Sequence, residues 1–106
     1  MGWFGRRKAS PGRSAADREV WDHLTAFVRS RYGVEGYLEP PTLMTATTLL
    51  LIAHDGEWTR RRVGDPVRAR RFTQKMNIPL YDVQLVGYPQ RFRDYHERRR
   101  RRPDAR

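Results

Sequence analysis

The residues that could carry chemistry in this 106-residue chain are few, and none is a cysteine, so thiol redox chemistry, a disulfide framework and Cys-ligated metal centres are excluded. His54, Asp55 and Glu57 crowd one short stretch, a grouping that metal binding or proton transfer would require. Three such groups on a tight turn seldom converge, and Asp-Gly serves the backbone there. His23 follows Glu19 by one helical turn and reads as a helix-surface pair. His96 lies in a basic segment without an orienting partner. No paired-carboxylate, Ser-His-Asp, phosphate-loop or G-x-G-x-x-G pattern is present, so the reading is non-enzymatic, with no cofactor and no metal.

What remains is charge. The chain carries 22 Lys and Arg against 12 Asp and Glu, a net charge of +10. Seven of the cations fall in residues 57–76, while residues 15–56 are mildly acidic. Arg60 and Arg62, with Arg68, Arg71 and Lys75 at 3- and 4-residue spacing, are the expected phosphate contacts of one positive surface. Arg91 and Arg93, interleaved with Tyr88, Phe92 and Tyr95, form a mix that can stack on unpaired bases, although the same aromatics have the spacing of a packed helix face. Arg98, Arg99 and Arg100 would add contacts from a basic tail. The expected partner is therefore RNA or DNA bound through its backbone without base readout. The alternatives are an acidic protein partner, or weak contact of Trp3, Phe4 and the adjoining Arg6, Arg7 and Lys8 with an anionic membrane. The N-terminal myristoylation pattern fails at Arg6. No apolar run approaches the ~20 residues of a membrane span, and no apolar stretch follows the N-terminal cations as in a secretory signal, so a cytoplasmic location is expected.

These residues need a scaffold. Residues 1–13 read as a flexible basic arm, 14–96 as a single α+β domain and 97–106 as a disordered Arg-rich tail. Ser14 caps a helix over 15–32, with Val20, Leu24, Phe27 and Val28 on its apolar face and Gly33 at its end. Val34–Glu39 is a strand. Thr45–Ala53 is apolar on both faces and so reads as a central strand covered on both sides. Asp55-Gly56 turns it into Glu57–Val63, an edge strand. A two-residue turn would pair Ala53 with Trp58, Leu51 with Arg60 and Leu49 with Arg62. Asp65-Pro66 opens a second helix, with Ala69, Phe72 and Met76 inward and Asn77 at its end. Residues 80–86 alternate as a strand, and 90–100 form a C-terminal helix with Phe92 and Tyr95 packing back.

The resulting α-β-β-β-α-β order, spanning roughly residues 15–86, resembles the restriction-endonuclease-like core, and its first five elements resemble a double-stranded RNA-binding domain. The first resemblance implies an Asp near the second strand and a Glu-x-Lys on the third. Here Thr45-Ala46-Thr47-Thr48-Leu49 has no acid, and Glu57 is followed two positions on by Thr59, so a catalytically empty version is implied. The stretches Ala53-His54-Asp55-Gly56-Glu57-Trp58-Thr59-Arg60-Arg61-Arg62 and Val86-Gly87-Tyr88-Pro89-Gln90-Arg91 are similar to those of short basic uncharacterised actinobacterial proteins, some of which carry an oxidoreductase label.

Overall fold

The computed structural model describes residues 14–101, and the expected N-terminal arm and membrane-contacting aromatics lie outside them. The described chain is α+β. It runs α1 (Ala15–Ser30), β1 (Glu35–Glu39), β2 (Thr47–Ile52), β3 (Trp58–Gly64), α2 (Pro66–Met76), β4 (Leu80–Asp82), α3 (Val83–Val86) and α4 (Gln90–Arg101). One mixed sheet has the order β3-β2-β1-β4, with β4 parallel to β1 and the other neighbours antiparallel.

The double-sided apolarity of β2 has its cause in three layers. Leu49, Leu51 and Ala53 pack with Leu24 and Phe27 of α1 and with Ala69 and Phe72 of α2. Leu50 and Ile52 pack on the other face with Tyr37, Trp58 and Phe92 of α4. All six residues of β2 are buried, as a strand covered on both faces requires. β3 is an outer strand, as its charge foretells. The two N-terminal caps form as expected: Ser14 Oγ accepts the Asp17 N–H at 3.0 Å and Asp65 Oδ1 accepts the Arg68 N–H at 2.9 Å. Asn77 ends α2 at φ 61°.

The hairpin differs from expectation, with consequences for the arginines. The turn holds three residues, His54, Asp55 and Gly56. Ala53 N–H donates to Glu57 O at 2.8 Å, and Gly56 N–H to Ala53 O at 3.0 Å. Gly56 sits at φ 95°, the left-handed residue that turns an Asp-Gly sequence into a bulged three-residue loop. Trp58 therefore faces Ile52, Arg60 faces Leu50 and Arg61 faces Leu49. This register places Trp58 under α4. The two-residue register would have turned it toward the opposite face.

Three boundaries also move. α1 stops at Ser30 and extended Arg31 caps it, so Gly33, at φ 66°, lies beyond the cap. A Cβ there would stand 2.8 Å from His54 Cβ, which is the packing reason for glycine. β4 ends at Asp82, whose Oδ1 accepts the Gln84 N–H at 2.8 Å and diverts the chain into the short turn α3. That cap overrides the alternation of residues 80–86 and leaves Leu85 exposed. Finally, α4 continues through Arg101, so residues 97–101 are helical where a disordered tail was expected.

Candidate functional site

The arginines of the candidate site divide into those held inside the structure and those left facing outward. Arg60 forks onto Glu39, with Nε–Oε1 at 2.7 Å and Nη2–Oε2 at 2.9 Å, and Tyr88 donates its hydroxyl to the same carboxylate at 2.6 Å. The Glu39 hydrogen bond holds the guanidinium pKa above its usual value. Arg60 also lies 5.2 Å from the centroid of the Trp58 ring. Arg91 reaches Glu35 at 2.7 Å and the Ala53 carbonyl at 2.9 Å, tying α4 to the end of β2. Tyr37 donates to the same Glu35 at 2.9 Å, and its hydroxyl pKa is pushed up to about 12, first by burial and then by that carboxylate. Arg68 turns inward to Asp17 at 3.1 Å and to its own cap Asp65, joining the N-termini of α1 and α2. Arg93 bonds the Tyr88 carbonyl and Gln90. Arg98 bonds the Asp55 carbonyl, while Arg98 and Arg99 lie over the Tyr95 ring and Arg100 pairs with Glu97.

Arg60 and Arg62 therefore do not share a surface with α2. By strand alternation both lie on the α4 face, while α2 covers the opposite face. The single positive surface proposed from sequence is divided by the sheet, and Arg60, Arg68 and Arg91 are neutralised by carboxylates. Tyr88 and Phe92 pack on the sheet with ring centroids 5.2 Å apart, so the packing reading of those aromatics is the observed one.

A tighter basic surface takes its place. The inward positions of α2 are Ala69, Phe72, Thr73 and half-buried Met76. Beyond its first residue, exposed Pro66, its exposed positions are Val67, Arg70, Arg71, Gln74 and Lys75, one stripe at i, i+3, i+4, i+7 and i+8. The stripe contains no acid. The side chains of Arg70, Arg71 and Lys75 form no ion pair with any described residue. Arg71 and Lys75 were legible from spacing. Arg70 was missed because the stripe was centred on Arg68, and nothing in sequence spacing shows that Arg68 turns to an acid 51 positions away on α1.

The titratable groups of the turn have structural partners. Glu57 binds Arg31 through both oxygens, at 3.0 and 2.6 Å, and that guanidinium holds its carboxyl below the usual range. Asp55 Oδ1 accepts the Glu57 N–H, and His54 stacks on Tyr32. His23 does not serve a surface pair with Glu19. Its Nε2 lies 2.6 Å from Thr59 Oγ1, binding α1 to β3. His96 stacks on Trp58, and its Nδ1 lies 3.0 Å from the Phe92 carbonyl. Among the described residues, no three His, Asp or Glu side chains gather around a common point, and no helix is long and apolar enough to cross a membrane. An open cleft of about 330 Å³ between α1 and β3 is lined by His23, Phe27, Ser30, Arg31, Trp58 and Thr59.

No family model, no curated protein and no solved structure matches the chain.

Proposed function

We propose that this protein is a non-enzymatic polyanion-binding module whose ligand is the phosphate backbone of RNA or DNA. The observation that supports the reading is the exposed stripe of α2, where Arg70, Arg71 and Lys75 stand together without carboxylate partners on a helix anchored by Ala69, Phe72 and Thr73. A row of cations on a rigid helix suits phosphates spaced along a strand. Contacts of this kind to phosphate fix the ligand's position and carry no sequence information. The exposed C-terminal part of α4 supplies a second set, Arg98, Arg99 and Arg100, whose charge adds long-range attraction.

The test is fluorescence anisotropy with labelled 20-nucleotide duplex DNA, duplex RNA and single-stranded RNA. Arg70→Gln, Arg71→Gln and Lys75→Gln combined should weaken binding to all three by similar factors, since only backbone contacts are removed. Arg60→Gln should leave binding unchanged. Equal binding by the triple variant and the parent protein would remove α2 from the interface.

A further inference from the structure

Beyond this reading lies the outer edge of β3. The strand is seven residues long, Trp58–Gly64, and β2 occupies only one of its sides. Glu57 bonds Ala53 across the hairpin, so alternate residues Thr59 and Arg61 direct their backbone groups to β2, and Trp58 and Arg60 direct theirs outward. The outward direction of Arg60 is visible directly: its carbonyl accepts the guanidinium of Arg61 at 2.8 Å, a contact outside the sheet. The opposite edge of the sheet, β4, has only three residues and offers no comparable template.

We propose that the β3 edge accepts an extended, acidic segment of a partner protein as a fifth strand, with acidic and apolar residues alternating. Three consecutive arginines line this edge, so pairing β3 with a second copy of itself would set like charges opposite one another; an acidic strand has the complementary sign. On the α4 face the added strand's acids meet Arg62, which is exposed and has no partner among the described residues, and Arg60, already shared with Glu39. On the other face its apolar residues lie against Thr59 and the cleft beside Phe27. An incoming N–H replaces the Arg61 guanidinium on the Arg60 carbonyl, and the Arg61 side chain returns to solvent.

The probes are labelled seven-residue peptides alternating Val and Glu, the same peptide with Lys for Glu, and the Glu peptide N-methylated at every second amide. The Glu peptide should bind and shift backbone amide resonances of residues 58–64 while leaving 66–76 in place. The Lys peptide should not bind. N-methylation should weaken binding about tenfold or more, because it removes backbone donors. Arg62→Glu should abolish binding to the Glu peptide, and circular dichroism shows whether that variant is folded. The N-methyl comparison uses the unaltered protein and decides the question even if the variant does not fold. Equal affinity for the methylated peptide, shifts centred on α2, displacement of the peptide by single-stranded RNA, or concentration-dependent dimerisation through β3 would each overturn the proposal. The Arg70/Arg71/Lys75 variant should bind the Glu peptide normally, so the two surfaces fail or succeed separately.

Discussion

Arg60 and Arg71 bear the same charge and have different work. Arg60 is fixed in a fork with Glu39 beside Tyr88, whereas Arg71 stands in solvent without an ion-pair partner among the described residues. Arg60→Ala leaves the Glu39 carboxylate, only 15% exposed, with Tyr88 as its remaining side-chain partner. Because the guanidinium is itself 40% exposed, screening limits the expected loss to about 1 kcal/mol. That corresponds to a melting temperature lower by ~4–8 °C. Arg71→Ala should change stability by less than about 0.5 kcal/mol, and differential scanning calorimetry separates the two. His23 gives a pH signature. Burial, then the positive Arg61 and Arg31, hold its pKa below the usual 6.5. Between 6.5 and the lowered folded value, the unfolded chain binds more protons than the folded one. Stability contributed by the neutral imidazole is therefore full above 6.5 and declines as pH falls through that window. His23→Gln should flatten this part of a urea-midpoint profile. A profile as steep as the parent's would assign the slope to other groups.

At the scale of elements, the three-residue hairpin loop decides most of what faces what. Gly56 combines a positive φ with close approach to α4: a Cβ there would lie 2.2 Å from the Arg91 carbonyl oxygen. Gly56→Ala should therefore cost at least about 2 kcal/mol and loosen α4, seen as a loss of near-UV circular dichroism from Trp58. Unchanged spectra would mean that the loop and helix can part without penalty. The residues explain how far such features were legible. Ser14, Asp65-Pro66 and Asn77 act through neighbours within four positions, so both long helices of the α1–α2 face could be read locally. The burial of β2 followed from its apolar run. The hairpin register could not be read in this way, because Asp-Gly supports loops of two or three residues and only the fit of Trp58 against Phe92 and His96 distinguishes them. Residues 80–86 failed for a related reason: the Asp82 cap is local, but whether it wins depends on where the parallel partner β1 ends. The candidate site was legible at Arg71 and Lys75 and illegible at Arg68 and Arg91, whose acids lie 51 and 56 positions away.

For the molecule as a whole, the sheet acts as a partition. The full chain has a net charge of +10; in the described body exposed Glu19 and Asp22 of α1 lie on the same side of the sheet as α2 with its cationic stripe, while α4 carries its arginines in the other layer. A polyanion bound at α2 thus engages a narrow row of cations, and the remaining charge attracts it without contact. Binding is expected to weaken linearly on a log–log plot against salt, with a slope set by the phosphates neutralised. The most direct measurement is that slope for duplex DNA, taken with the parent protein and with Arg70→Gln/Arg71→Gln/Lys75→Gln. Each lost contact should reduce the slope's magnitude by about 0.9, giving a decrease of ~2–3 for the triple variant. Parallel lines displaced only in affinity, or superimposed lines, would contradict a phosphate-binding role for α2.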